Sequence, residues 1–271
     1  MAAHGAAPAL LLLGGWEWAL GAVAGAHGAM GTFGMWPSSQ LLGRTVTRLP
    51  PGRAAAGEVA VTFDDGPDPH VTPRVLDMLD AHGAKATFFA IGRRAAAHPA
   101  LVQDAVRRGH QVESHTWGHR PWFACMGLGA LQREVEQAQD ALAPLAGRAP
   151  RYIRAPLGLR TPLLDPVLHR AGLLHVSWTR RGLDGVTQDP RRVLARLLRG
   201  LGGGDILLLH DARGRGGAAP VLHVLPELLR ELDRRELRAV TLDGHDPHEG
   251  AREGAREAAA GRPAPAGCAS R

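Results

Sequence analysis

The chain is almost without lysine and almost without cysteine. Lys85 is the only lysine, so the other 31 of the 32 basic residues are arginine. With the heavy use of Ala, Gly and Pro, this is the composition a genome rich in G and C writes. The arginines spread over predicted helix faces, as at Arg191, Arg192, Arg196 and Arg199. The net charge of +6 is therefore read as solvated surface with a mild preference for anionic surfaces, and no nucleic-acid partner is expected. Two cysteines, Cys125 and Cys268, are too few for a disulfide framework. The apolar run Leu10–Leu13 has no basic residue before it, so it lacks the positive flank of a secretory signal.

What is present is a regular alternation. Short β-rich runs occur at Val59–Phe63, Ala86–Ile91, Gln111–Ser114, Arg151–Arg154, Leu173–Trp178, Asp205–Leu209 and Leu237–Leu242. Between them lie segments with apolar residues at helical spacing. Three carry start and stop signals, with Thr72-Pro73 before Gly83, Thr161-Pro162 before Gly172 and Asp189-Pro190 before Gly200. Further helices are expected near Leu101–Arg108, Leu128–Leu145 and Val221–Arg234. Repeated βα units imply one α/β domain on a parallel sheet, closed or nearly so, over residues 59–243. A chain of 271 residues suits one such domain and is short for two.

The ends differ. Within residues 1–58, the charge-free stretch from Trp18 to Trp36 is followed by Arg44, Arg48 and Arg53, as in a membrane span with aromatic ends and a basic flank. Glycines and His27 dilute its hydropathy, so a flexible or packed extension of the domain is the alternative. The expected location is a bacterial inner membrane, with the face of the catalytic domain left open; a soluble or cytoplasmic protein is the other reading. Residues 244–271, with almost no large apolar side chain, are expected to be disordered.

The chemistry-bearing residues follow the strands. Thr62-Phe63-Asp64-Asp65-Gly66 closes the first, and His115-Thr116-Trp117-Gly118-His119 follows the third. Two carboxylates and two imidazoles are what a divalent metal bound by one Asp and two His requires, with one carboxylate left to act on a water. Either motif alone is ambiguous, because His-x-x-x-His arises by accident in a chain with 14 His and Asp-Asp-Gly also makes turns. Arg154-Ala155-Pro156-Leu157-Gly158, Trp178 and His210-Asp211 close three more strands. Parallel α/β barrels build their sites at the carboxyl ends of strands, which ties these separate segments together.

The ordered set Thr-Phe-Asp-Asp-Gly, His-Thr-x-x-His, Arg-x-Pro-x-Gly and Leu-x-x-His, at residues 62–66, 115–119, 154–158 and 207–210, resembles the NodB-type polysaccharide deacetylases of carbohydrate esterase family four. The resemblance implies a distorted parallel (β/α)7 barrel and the metal-dependent removal of acetyl groups from an N-acetylated oligo- or polysaccharide. It implies Asp65, His115 and His119 as metal ligands, Asp64 as general base and Arg154 as the arginine that orients it. The backbone N–H of Leu157 would help stabilise the oxyanion, and Leu207 would line the acetyl pocket. His210 would be the general acid, with Asp184 as its partner. Zinc suits two imidazoles and a carboxylate, and cobalt or nickel would fit as well.

One motif departs from the family pattern. Where Asp-x-x-Asp-Trp is common, this chain has Arg181-Gly182-Leu183-Asp184-Gly185. The acyl pocket is therefore expected to be reshaped, with Trp178 as a substitute wall and Arg181 facing an anionic part of the substrate. Asp68 is a further candidate hydrogen-bond acceptor near the metal, and Asp211 a candidate loop cap. Two other functions remain open at this point: a deacylase or deformylase of a lipid-linked sugar, and a catalytically silent carbohydrate-binding barrel.

Overall fold

The structure, a computed structural model, describes residues 38–214 and 217–243. In chain order its elements are β1 (Thr45–Val46), α1 (Pro51–Ala55), β2 (Glu58–Asp64), α2 (Thr72–Ala81), β3 (Thr87–Ala90), α3 (Gly92–Ala97), α4 (Pro99–Arg107) and β4 (Gln111–Ser114). Then follow α5 (Leu128–Ala146), β5 (Tyr152–Ile153), α6 (Leu164–Arg170), β6 (Leu174–Val176), β7 (Arg180–Arg181), α7 (Pro190–Leu198), β8 (Ile206–His210), α8 (Val221–Arg234) and β9 (Arg238–Val240). Every strand pairing is parallel, and the sheet runs β1-β6-β5-β4-β3-β2-β8-β7. β9 pairs with Glu58–Ala60 at the start of β2, whereas β3 pairs with Thr62–Asp64 at its end. The sheet curls into a distorted barrel whose two edge strands, β1 and β7, are not paired to each other among the described residues.

Strand periodicity sorts the side chains into two layers. On β2, Val59, Val61 and Phe63 pack with Val75, Leu76 and Leu79 of α2 and Leu228 of α8, between sheet and helices. Ala60 turns the other way and joins Phe89, Tyr152, Val176, Ile206 and Leu242 inside the barrel. Thr62 and Asp64 share that inward face. The barrel's interior is thus filled with side chains low down and polar at the top, where the strands end.

All seven expected strands are present. The two additional ones, β1 and β7, are two residues long each, too short to show any period. β1 and α1 precede residue 59, the expected start of the domain, and β1 pairs with β6. Gly83, Gly172 and Gly200 do close helices, at φ of 60°, 66° and 64°, a region open to glycine at little cost. Asp189 caps α7 by accepting the Arg191 N–H at 3.0 Å. Thr72 does not cap α2. Its hydroxyl donates to the Asp211 carboxylate at 2.6 Å and accepts the Asp68 N–H at 2.8 Å, so a tertiary partner has taken it from its own helix. Thr161 lies ahead of a helix that starts only at Leu164. The expected membrane span at residues 18–36 and the tail beyond residue 243 lie outside the described residues. No helix among those described is long and apolar enough to cross a membrane.

One buried acid repairs the sheet. β4 and β5 pair at Ser114 and Ile153. Below that point the Glu113 carboxylate, fully buried, accepts the backbone N–H groups of Arg151 at 2.7 Å and Tyr152 at 2.8 Å. Arg148 at 2.8 Å and Gln111 at 2.7 Å donate to its other oxygen. Burial raises the carboxyl pKa more than these partners lower it. Removing the side chain strands several donors in a dry interior. Glu113→Ala is therefore expected to lower the unfolding free energy by about 3–5 kcal/mol, the usual result of breaking a buried, hydrogen-bonded charge. Urea denaturation measures this, and a change below about 1 kcal/mol would show that β5 holds without the carboxylate.

Candidate active site

The sheet register brings the strand ends together. Asp64, the last residue of β2, lies beside His210, the last of β8, and beside Phe89 of β3. Asp65 follows β2, His115 follows β4 and Arg154 follows β5. Of six described non-glycine residues with positive φ, five lie in this rim: Asp65 at 73°, Thr116 at 63°, His119 at 47°, Leu157 at 59° and Leu183 at 61°. Each such conformation costs of order 1–3 kcal/mol, and such residues concentrate at functional sites.

Asp65, His115 and His119 converge, with one ligand atom from each lying within 4.8 Å of the others. Asp65 Oδ1 is 3.5 Å from His115 Nε2 and 3.3 Å from His119 Nε2. That oxygen is buried and has no hydrogen-bond partner, a costly state for a carboxylate unless a cation completes it. His115 Nδ1 lies 2.8 Å from the Arg154 carbonyl oxygen. A carbonyl only accepts, so Nδ1 carries the proton and Nε2 offers its lone pair to the cluster. The donor set fits a divalent metal. Burial works to raise the Asp65 carboxyl pKa, but the neighbouring imidazole of His115, with His210 and His119, holds it far below the usual range. The imidazoles diverge: burial opposes the charge on both, yet Asp64 and Asp65 raise His115, whereas the proximity of His115 lowers His119.

Asp64 stands against Arg154. Arg154 Nη1 donates to Asp64 Oδ1 at 2.6 Å and to Thr62 Oγ1 at 2.9 Å, while Nη2 donates to the Ser177 carbonyl at 3.1 Å. Its guanidinium lies 4.1 Å from the centre of the Phe89 ring, and the residue is wholly buried. The other Asp64 oxygen, Oδ2, faces the metal-type cluster, 3.9 Å from His115 Nε2. Across the mouth, His210 Nδ1 is 2.8 Å from Asp184 Oδ1, and the His210 backbone N–H donates to Asp184 Oδ2 at 2.8 Å. Burial works to lower the His210 pKa, but the Asp184 hydrogen bond and charge, with Asp65 and Asp64, raise it to about 9.

The remaining expected residues divide. Leu157 sits in the turn Pro156–Gly158 with its side chain half exposed. Trp178 and Arg181 are partly buried on the β6–β7 segment; the Arg181 guanidinium carbon is 5.3 Å from the Trp178 ring centre and that of Arg154 is 5.9 Å. Leu207 does not line the mouth. It packs with Val61, Phe63 and Leu209 against the helices, because strand alternation places Leu208, not Leu207, on the His210 face. Asp68 is not at the metal-type cluster, since it accepts from the His70 N–H at 2.8 Å and from Arg213 Nε at 3.1 Å. Asp211 is wholly enclosed, and burial, despite the Thr72 hydrogen bond, pushes its carboxyl up to about 7. A Cβ at residue 66 would stand 2.2 Å from Asp211 Oδ2, so only glycine lets the metal-side loop pass this carboxylate. Thr62 and Ser177, which hold Arg154, are not singled out from sequence as site residues, and Thr72, which holds Asp211, is read there only as a helix start. The threonine of the Thr-Phe-Asp-Asp-Gly motif was the one available signal.

Comparison with known proteins agrees with this geometry. Residues 52–176 match the polysaccharide deacetylase family. A chitooligosaccharide deacetylase of Sinorhizobium fredii is 38% identical over 169 residues, 62% of this chain and 77% of that protein. A peptidoglycan-N-acetylglucosamine deacetylase of Bacillus cereus is 33% identical over 190 residues, 68% of this chain and 66% of that protein. The crystal structure of the Bc1960 peptidoglycan N-acetylglucosamine deacetylase superposes with a TM-score of 0.66 at 30% identity, covering 73% of this chain and 90% of that one. The chain therefore belongs to the polysaccharide deacetylase family, the NodB-type carbohydrate esterases of family four.

Proposed function

We propose that this protein hydrolyses the N-acetyl group of an N-acetylated sugar in a chitin-like or peptidoglycan-like glycan, releasing acetate and leaving a free amine. The observation that carries the reading is the Asp64 carboxylate, held through one oxygen by Arg154 while the other faces the converged Asp65, His115 and His119. Those three would hold a divalent metal, for which zinc is the first choice and cobalt or nickel the alternatives. When bound, the metal supplies acidification of a water and polarisation of the acetyl carbonyl.

The protein's own residues do the rest. Asp64 takes the proton of the attacking water, and Arg154 keeps the carboxylate aimed, since a buried guanidinium with four donors engaged has no freedom to swing. Leu157, whose backbone is turned to φ 59° beside Pro156, presents its N–H to the developing oxyanion. His210, charged through Asp184, donates a proton to the departing nitrogen as the C–N bond breaks. What supports an anchor ahead of the barrel is the charge-free stretch from Trp18 to Trp36 with its arginine flank.

Asp64→Asn is expected to cut kcat for acetate release from chitotetraose by about 10²–10⁴-fold, the range of a lost general base, with bound metal unchanged by elemental analysis. Retention of most activity would remove Asp64 from the role of base. Chelation should abolish release and added zinc restore it. A protonated acid is needed below its pKa and is lost above it, so kcat/KM should fall as pH rises through the His210 range. A cation beside Asp65 would offset part of that carboxylate's pull, so the limb is expected below about 9. In Asp184→Asn the alkaline limb should move down toward the ordinary histidine range, and an unmoved limb would assign the acid elsewhere.

A further inference from the structure

The charge at Arg181 has no use in the reaction just described. Strand alternation turns it into the barrel: a Cβ at the next residue, Gly182, would stand 2.8 Å from Val193 of α7, so residue 182 faces the helices and residue 181 the interior. Arg180, on the helix side like Gly182, has its partner in Asp205 at 3.2 Å. Arg181 has no carboxylate within 4.0 Å among the described residues, and its Nε is buried without a hydrogen-bond partner. Its Cα is in register with Leu208, two residues before His210, at the edge of the sheet that β1 and β7 leave unclosed. The Trp178 ring is beside it, 5.3 Å from ring centre to guanidinium carbon, and is also 5.9 Å from that of Arg154, which in turn holds Asp64. Gly185 carries no side chain to cover this side of the site; a Cβ there would already touch the His210 ring, 3.5 Å from Cε1.

A partly buried guanidinium left without a counter-charge beside an aromatic ring is matched by an oxygen anion. We infer that Arg181 and Trp178 form a subsite for a sugar carrying an anionic oxygen group, a carboxylate or a phosphate, next to the N-acetyl group that is hydrolysed. Arg181 offers the forked donors such a group accepts in pairs, and Trp178 offers the flat apolar surface on which the sugar ring rests. The inference rests on the deacetylase reading for its substrate, while its binding test does not depend on turnover.

The test uses the full-length, zinc-loaded Asp64→Asn protein and three disaccharides of equal length: neutral diacetylchitobiose, N-acetylglucosaminyl-N-acetylmuramic acid with its carboxylate, and diacetylchitobiose 1-phosphate. Calorimetry should show at least one anionic sugar bound about tenfold or more tightly than the neutral one, with the preference shrinking as salt is raised. Whichever anion is preferred identifies the source of the charge. In the same background Arg181→Gln should erase the preference, and Arg181→Lys should keep part of it. Equal binding of all three sugars, or a preference that survives Arg181→Gln, overturns the subsite and leaves Arg181 a packing partner of Trp178. Acetate release by the unsubstituted protein is scored separately. An anion preference without release would sink the proposed reaction and leave the subsite standing.

Discussion

The structure depends on a buried ion pair. Arg154 has no exposed surface, and its guanidinium reaches across the barrel to Asp64 while bonding the carbonyls of Val176 and Ser177 and the hydroxyl of Thr62. Burial pulls the arginine below its ordinary pKa and Asp64 pulls it back, so the pair is stable only as a unit. Breaking such a pair typically costs about 3–5 kcal/mol, because the survivor is left charged and dry. The same bonds fasten β2 to the β5 and β6 ends. The aim of the Asp64 carboxylate and the closure of the upper barrel are therefore one interaction. A lysine could not replace the arginine, since a single ammonium has three donors and no fork with which to span four acceptors.

Around that pair the backbone is forced into sparsely populated conformations. Asp65, Thr116, His119 and Leu157 all take positive φ, and rigid neighbours hold them there. Asp211, hydrogen-bonded by Thr72, lies directly behind Gly66 and fixes the loop that carries Asp65. The Glu134 carboxylate accepts the Gly118 N–H at 2.7 Å and fixes the loop that carries His119. On β4, Glu113 takes over the hydrogen bonds that a longer β5 would have made. Three buried carboxylates thus stand in for regular sheet and let the site geometry depart from it.

Much of this was legible in the chain. Short β-rich runs between helical segments marked seven of the strands, and the residues just past their ends marked the site, because a parallel barrel gathers strand ends whatever their distance in sequence. Legibility failed where a signal was too short or had two explanations. β1 and β7 are two residues each and carry no period. Thr72-Pro73 reads as a helix cap, but the hydroxyl is used by Asp211, 139 residues away. Leu207 and Leu208 are equally apolar, and only the register of β8 against β2 assigns them to opposite faces.

The sequence by itself determined which elements form and which chemical groups end them, since hydrophobic period, proline and glycine signals and motif order are local properties of the chain. Only the tertiary structure decided which groups meet. Orientation, burial and charge pairing are set by neighbours distant in sequence: the carbonyl of Arg154 fixes the tautomer of His115, Asp184 charges His210, Asp64 neutralises Arg154, and nothing among the described residues neutralises Arg181.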